Sequence, residues 1–218
     1  KPKTAYVISL GLVGSEMCIR DSREFGCETL DADEIAHEAL SETEILEAIT
    51  KSFAKVLADE RVGQERPEAA ILRDDGEIDR QALARLVFPC KENVKKLNEI
   101  VHPWVHRRIL EIIEAHQNRH SGVGAESVLV LDVSLLSSSP LLEKCDAVLF
   151  VHADREIRLK RAEGRGWEAN ELDRREVHQP STEEKRGLSR WTVNNTGFLE
   201  ETRDQVRDIL TEIGALKS

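Results

Sequence analysis

Of the chain's 218 residues, 33% are charged, and the formal net charge is −10. That length is enough for one α/β domain with an inserted lobe. The acidic balance excludes a general nucleic-acid binder, whose binding surface would be basic. No apolar stretch is long enough to span a bilayer and no secretory signal is apparent, so we expect a cytoplasmic protein without nucleic-acid or membrane partners. The cysteines lack zinc-ligand spacing, so we expect reduced thiols.

The chain opens with two predicted strands and then becomes helical. An apolar run at 6–10 predicts a buried strand, and Gly11 and Gly14 predict a turn behind it. A second short strand is predicted at 28–30. Beyond it apolar residues recur at helical spacing, first over 34–40 and then over 45–57.

The middle of the chain predicts a polar excursion followed by three helices. Residues 58–76 are polar and rich in turn formers, and Asp79 is placed to cap a helix behind them. Pro103 predicts a break between the next two helices, because the residue before a proline is pushed out of helical angles. We therefore expect one helix to end at His102 and another to begin at Pro103.

The second half of the chain alternates strands with helices. Nearly continuous apolar runs at 127–133 and 147–151 predict central parallel strands that are covered on both faces. A basic helix, a charged lid segment, a last strand and a C-terminal helix follow, at 154–165, 166–190, 191–193 and 198–213. This alternation predicts an open, mainly parallel sheet, which binds ligands at the carboxyl ends of its strands.

Carboxylates stand at the predicted strand ends. Asp31 and Asp33 follow the second strand, and Asp132 lies near the end of the third. A carboxylate that opens onto a helix can accept a proton from a substrate hydroxyl. The alternative for Asp33 is that it only caps the helix behind it. Asp132 has two interpretations as well, since it can hold a metal-bound water or anchor neighbouring backbone amides.

Several motifs in a fixed order resemble the dephospho-CoA kinase family. DADEIAH at 31–37 resembles the family's D-A-D stretch, and GEIDR at 76–80 resembles its G-x-I/L-D-R segment. Later matches follow in the family's order: His102 with Pro103, Leu131-Asp132-Val133, Arg161 and Arg165 with Gln179, and Asn195 with Gly197. The resemblance runs from about Phe25 to the C terminus.

The resemblance implies a three-layer α/β fold of the P-loop kinase type, with a mostly parallel sheet, a helical substrate-binding lobe and a lid. The family transfers the γ-phosphoryl group of ATP to the ribose 3′-hydroxyl of dephospho-CoA with Mg²⁺, in the last step of coenzyme A biosynthesis. ATP and dephospho-CoA are thus the implied ligands of a monomer or weak oligomer. The implied division is a core at about 1–33, 126–153 and 188–218, a lobe at about 34–125 and a lid at about 154–187.

The resemblance also implies roles for single residues. Asp33 matches the family's proposed general base. Arg161, Arg165 and Asn195 are implied on the ATP side, although the two arginines fit a solvated helix face and Asn195 fits a turn. Substrate contacts and an indirect metal contact are implied at four further positions: Asp31, Arg80, His102 and, for the metal, Asp132. His102 has a structural alternative as the residue before a proline.

The phosphate-binding loop departs from the family. The family has G-x-T-G-G-I-x-S-G-K-S/T behind its first strand; the glycines wrap the phosphates, the lysine reaches them and the hydroxyl binds Mg²⁺. Gly11, Gly14 and Ser15 match the first half and are candidate ATP contacts, but nothing matches G-K-S/T. Glu16 and Asp21 add negative charge where a phosphate should sit.

Residues 10–22 look foreign to the otherwise regular pattern and resemble translated adapter sequence of the kind that contaminates assembled sequencing reads. We hypothesise that this block replaces a normal phosphate loop, and we expect the chain as written to be inactive. Arg20 is a weak substitute for the lysine because it does not follow a glycine. The alternative is a catalytically dead family member that binds a CoA-like ligand or a protein partner.

Overall fold

The computed structural model describes residues 5–10, 16–60, 71–120, 127–133, 140–167, 171–176 and 181–216. The chain divides into two units. The sheet unit comprises Lys1–Ala32 with Ile112–Ser218, and the helical unit comprises Asp33–Glu111. Four positions that the sequence assigns to functional loops lie outside the described residues: Gly11, Gly14, Ser15 and Gln179.

A parallel sheet forms the centre of the sheet unit. Its strands among the described residues are β1 Ala5–Leu10, β2 Glu28–Asp31, β3 Leu129–Asp132, β4 Ala147–His152 and β5 Trp191–Asn194. Their order in space is β2-β3-β1-β4-β5, so β1 is the central strand, and every pairing is parallel. The interiors of β3 and β4 are buried, as apolar runs covered on both faces require. The predicted strands and the parallel sheet are confirmed.

Helices account for most of the remaining described residues. In chain order they are α1 Glu16–Glu24, α2 Ala32–Ala39, α3 Thr43–Glu60, α4 Arg80–Val87, α5 Lys91–His120, α6 Arg155–Gly164, α7 Glu171–Glu176, α8 Thr182–Leu188 and α9 Leu199–Glu212. A 3-10 helix covers Pro140–Lys144. The boundary between the two units falls behind the first residue of α2 and again within α5.

Helix α1 begins in the segment that looks foreign, residues 10–22, and ends just beyond it at Glu24. Cys18 and Ile19 on its inner face join Val206 and Leu210 of α9 in the hydrophobic cluster of the sheet unit. Just beyond the helix the chain turns at Gly26, whose φ of 88° other residues rarely adopt. The segment thus supplies a covering helix to the sheet, whatever its effect on the phosphate loop.

Two long helices are joined within the helical unit. On α3, Ile45, Ile49 and Phe53 are buried at four-residue spacing, which places them on one face. The Nζ atom of Lys96 on α5 donates a hydrogen bond of 2.7 Å to the backbone oxygen of Ser52. An ion pair of 2.9 Å also joins Arg107 of α5 to Glu44 of α3.

The predicted break at Pro103 is wrong, because α5 runs without interruption from Lys91 to His120. A proline inside a helix removes one backbone hydrogen bond and costs about 3 kcal/mol. Val101, Val105 and Ile109 lie at four-residue spacing on both sides of the proline, and all three are buried. Burial of this continuous apolar stripe stabilises a single helix by more than the proline destabilises it.

No helix among the residues that the structure describes is both long and apolar enough to cross a membrane.

Candidate functional site

The connections of the sheet diverge at the carboxyl end of its central strand. From β1 the chain continues to β2, which lies on one side of β1. From β3, on that same side, it crosses over β1 to β4 on the other side. In open α/β sheets ligands bind in the crevice at such a divergence. The end of β1 at Leu10 and the start of α1 at Glu16 therefore bracket the position where the fold predicts a ligand.

Two of the predicted site residues are neighbours at this edge. Asp31 at the end of β2 and Asp132 at the end of β3 are register partners. Register partners on parallel strands point to the same face, and the two backbones lie about 4.8 Å apart. Both side chains are partly buried. Two carboxylates in this arrangement offer the hard oxygen ligands that Mg²⁺ prefers, directly or through water.

Asp33 lies in the first turn of α2. The helix begins at Ala32, directly behind β2, so Asp33 is its second residue and does not precede it. A negative charge in the first turn stabilises a helix through its dipole. The carboxylate is exposed, and its role as a general base stays a prediction.

The start of α1 takes the position where a phosphate loop carries its lysine and hydroxyl. Cys18, the third residue of α1, is fully buried. Burial, reinforced by the charge of Asp21 and opposed by Arg161, raises the pKa of the Cys18 thiol to about 12. A neutral, buried thiol is a poor ligand for Mg²⁺, which prefers oxygen. The described side chains at this helix start therefore do not fit a magnesium-bound nucleotide.

Arg20 does not take the place of the missing lysine. It lies in the middle of α1, and its guanidinium pairs with Asp21 and Glu24 at 3.7 Å each. Asp21 is only 2% exposed. Burial raises the pKa of its carboxyl group, and the charges of Arg20 and Arg203 only partly oppose this effect. A carboxylate on the inner face of α1 is costly to bury and would repel a phosphate.

Arg161 and Asn195, both predicted on the ATP side, contact each other. Arg161 Nη2 donates hydrogen bonds to the backbone oxygen of Asn195 at 2.9 Å and to its Oδ1 atom at 3.3 Å. Asn195 is fully buried, and its backbone N–H donates to the oxygen of His152 at 2.7 Å. Thr202 Oγ1 donates to Asn195 Oδ1 at 3.1 Å. Thr202, which sequence reasoning missed, thus helps to fix the segment behind β5.

The other arginines of α6 join it to α7. Arg155 pairs with Asp173, and Arg158 pairs with Glu176. Arg165 directly follows the last residue of α6, one turn beyond Arg161, and its side chain is exposed. Positions i and i+4 share a helix face, and the contact of Arg161 and Arg165 with ATP stays a prediction.

The predicted substrate contacts Arg80 and His102 lie in the helical unit. Arg80 is the exposed first residue of α4, whose predicted cap is confirmed: Asp79 Oδ1 accepts the backbone N–H groups of Gln81 at 2.9 Å and Ala82 at 3.0 Å. His102 is exposed on α5, and its ring stacks on that of His106 with 6.4 Å between the centroids. An open groove along this face of α5 is lined by Lys91, Lys95, Asn98, His102 and His106, among others. The sequence analysis did not single out Lys91 and Lys95, which lie four residues apart on α5.

The sheet order and the helix directly behind the central strand define the chain as an α/β protein with the P-loop kinase fold. Two solved structures share this fold over nearly their full length. A Thermus thermophilus protein superposes with a TM-score of 0.67 at 29% identity and covers 97% of this chain and 98% of its own. Dephospho-CoA kinase from Campylobacter jejuni superposes with a TM-score of 0.66 at 22% identity, with 98% and 99% covered.

The sequence comparisons identify the family. The dephospho-CoA kinase family model matches residues 13–201. The dephospho-CoA kinase of Geobacillus kaustophilus is 36% identical over 196 residues, which are 89% of each chain. That of Deinococcus radiodurans is 33% identical over 210 residues, 94% of this chain and 91% of the relative. The chain belongs to the dephospho-CoA kinase family, a family of phosphate-transferring enzymes.

Proposed function

We propose that this chain is built to transfer the γ-phosphoryl group of ATP to the ribose 3′-hydroxyl of dephospho-CoA, and that its altered α1 prevents it from doing so as written. The activity is supported by the family's D-A-D motif at the end of β2, where Asp31 is the register partner of Asp132. The defect is supported by the absence of G-K-S/T behind the first strand and by the buried Cys18 thiol in the first turn of α1.

In this proposal each predicted site residue has its own role. Asp33 accepts the proton of the 3′-hydroxyl as it attacks the γ-phosphorus. Arg161 and Arg165 offer guanidinium donors to phosphate oxygens, and Asn195 holds Arg161 in place. Asp31, Arg80 and His102 contact dephospho-CoA, and Asp132 lies on the metal side. Because the start of α1 does not fit Mg²⁺, we derive no step through that ion.

The longer segments of the chain also have proposed roles. We propose that the segment at about 34–125 is the substrate-binding lobe and that the segment at about 154–187 is the lid that closes over the phosphates. With a restored phosphate loop, the protein would act in the cytoplasm as a monomer or weak oligomer, with MgATP and dephospho-CoA as its ligands. Neither a nucleic acid nor a membrane is a proposed partner.

A second candidate function has one specific observation in its favour. Cys18 and Ile19 complete the hydrophobic cluster with α9, so the altered segment still covers the sheet. A folded, catalytically dead protein that binds a CoA-like ligand or a protein partner is therefore the alternative. Restoring the phosphate loop distinguishes the two candidates, since only the first predicts that the repaired protein phosphorylates dephospho-CoA.

The test compares two proteins in an ADP-release assay with dephospho-CoA as acceptor. One is the chain as written, and the other has residues 10–22 replaced by a family strand, G-x-x-x-x-G-K-S/T loop and full helix start. We expect turnover only from the repaired protein, because only it has the lysine and the hydroxyl. Equal turnover from the unrepaired chain would refute the defect, and an inactive repaired protein that is folded would refute the enzyme proposal.

The proposed base is tested in the repaired protein. We expect Asp33→Asn to lower kcat by at least about 100-fold, because general base catalysis contributes on this scale. Glu34→Gln is the matched control, since Glu34 is an exposed acid in the same turn of α2. Unchanged turnover in Asp33→Asn would remove Asp33 from this role.

The origin of residues 10–22 has its own test. Sequencing the source locus from clean genomic DNA should recover an intact phosphate loop. Recovery of the same codons would contradict the contamination hypothesis and favour the dead family member.

A further inference from the structure

Two histidines and a glutamate meet at the amino end of the sheet, away from the strand ends that carry Asp31 and Asp132. Glu28 is the first residue of β2, and His116 and His120 lie in the last turns of α5. All three belong to the sheet unit. The spacing His-x3-His places both imidazoles on one face of the helix. Their ring centroids are 4.6 Å apart.

The donor atoms of the three side chains converge on one point. Glu28 Oε1 lies 3.2 Å from His116 Nδ1 and 3.3 Å from His120 Nε2. The ligand atoms of all three residues lie within 4.8 Å of one another. Two ligands held about 2.0–2.1 Å from a tetrahedral zinc ion are about 3.3 Å apart. The two contacts with Glu28 therefore have the spacing that a shared metal ion imposes.

The burial of His116 makes this arrangement more than a surface ion-pair network. His116 is 0% exposed, and neither of its ring nitrogens has a hydrogen-bond partner within the described part of the chain. Its Nδ1 approaches Glu28 closely without the alignment of a hydrogen bond. A buried, unsatisfied polar atom costs about 1–3 kcal/mol. A cation between Nδ1 and Oε1 would give the nitrogen the partner that it lacks.

The second oxygen of the carboxylate is held from outside. Arg119 Nη2 lies 2.5 Å from Glu28 Oε2. Burial of Glu28 opposes its ionisation, but the contacts with His116 and His120 and the charge of Arg119 outweigh this effect and lower its pKa. Carboxylate ligands in metal sites are commonly oriented by such a hydrogen bond on the other oxygen. The positive charge of Arg119 opposes the binding of a cation. The affinity for the metal ion therefore depends on the two imidazoles.

We propose that Glu28, His116 and His120 form a binding site for a first-row divalent transition metal ion such as Zn²⁺. Two imidazoles and one carboxylate are the ligand set of tetrahedral zinc sites, whereas Mg²⁺ and Ca²⁺ prefer oxygen alone. His120 and Glu28 are partly exposed, so solvent water can take the fourth position. Because the site joins the end of α5 to the start of β2, a bound ion would link these two elements.

The experiment titrates the chelator-treated full chain with Zn²⁺ by calorimetry and with Co²⁺ by visible spectroscopy. We expect one saturable site, visible bands of four-coordinate Co²⁺ and a higher melting temperature with Zn²⁺. His120→Gln and Glu28→Gln should each weaken Zn²⁺ binding at least tenfold. His120→Gln is the principal variant, since His120 is only partly buried and its loss is less damaging to folding than that of His116.

The matched control uses the second histidine pair on the same helix. His102 and His106 also lie at i and i+4 on α5. His106→Gln therefore tests whether this second histidine pair accounts for the metal binding. We expect Zn²⁺ affinity to be unchanged in His106→Gln. The proposal is overturned if no saturable binding occurs, if His120→Gln and Glu28→Gln bind as tightly as the unaltered chain, or if His106→Gln removes the binding.

Discussion

Arg161 donates to both the backbone oxygen and the side-chain oxygen of Asn195, at 2.9 Å and 3.3 Å. Sequence motifs assign both residues to the ATP side, but the structure joins them to each other. Asn195 therefore acts as the support that positions an arginine of α6. Asn195 is fully buried, and its side-chain amide accepts hydrogen bonds from neighbouring side chains.

We predict that Asn195→Ala lowers the free energy of unfolding by about 2 kcal/mol, since it leaves the buried hydroxyl of Thr202 without its acceptor and removes the longer of the two hydrogen bonds that Arg161 donates. Urea denaturation measures the change. Asn194→Ala is the control, because Asn194 is exposed and its Oδ1 accepts one local N–H group, that of Thr196. Equal losses in the two variants would contradict a special role for Asn195.

For Asp21 we predict that a substitution stabilises the fold. Because burial raises the pKa of this carboxyl in the folded chain, the folded state binds the proton more tightly than the unfolded state does. The ionised carboxylate therefore destabilises the fold near neutral pH, and the effect disappears as pH falls through the raised pKa. We expect Asp21→Asn to raise the free energy of unfolding at pH 7 by about 1 kcal/mol and to have no benefit at acidic pH.

The pH dependence of Asp21→Asn is measured by urea denaturation at a series of pH values. Asp204→Asn serves as the control, since Asp204 is an exposed carboxylate that pairs with Arg207 on α9. It should change stability by less than about 0.5 kcal/mol. A destabilised Asp21→Asn at pH 7 would show that Arg20 and Arg203 pair with the carboxylate strongly enough to offset its burial.

Pro103 distinguishes one helix from two. If α5 is continuous, Pro103→Ala restores an interior hydrogen bond and should raise the free energy of unfolding by about 1–3 kcal/mol. If a helix began at Pro103, the same change would lower stability by releasing the unfolded chain. Pro89→Ala, in the turn ahead of α5, is the control and should be neutral or slightly destabilising. A loss in both variants would contradict the continuous helix.

The parts of the fold that the sequence predicts correctly are those with a strong periodic signal. The strands around Val130 and Leu149 are continuous apolar runs, and their order among helices suffices for a parallel sheet. Pro103 misleads because a local backbone rule ignores the apolar stripe on both sides of it. Helix α1 escapes prediction because Asp21 and Ser22 interrupt its buried face, so no apolar period is visible.

The site was predictable only where a family motif carries it. Asp31 and Asp132 could be placed at strand ends from the sequence, but their register required the sheet. The contact of Arg161 with Asn195 and that of Glu28 with His116 join residues far apart in the chain. Spacing cannot reveal such pairs, since they depend on how helices pack on the sheet.

The most direct test of this account is calorimetric binding of MgATP to the chain as written and to the protein with the restored phosphate loop. The account predicts saturable binding to the repaired protein and none to the chain as written, because the chain as written has no G-K-S/T behind its first strand. Comparable affinity in both proteins would contradict it.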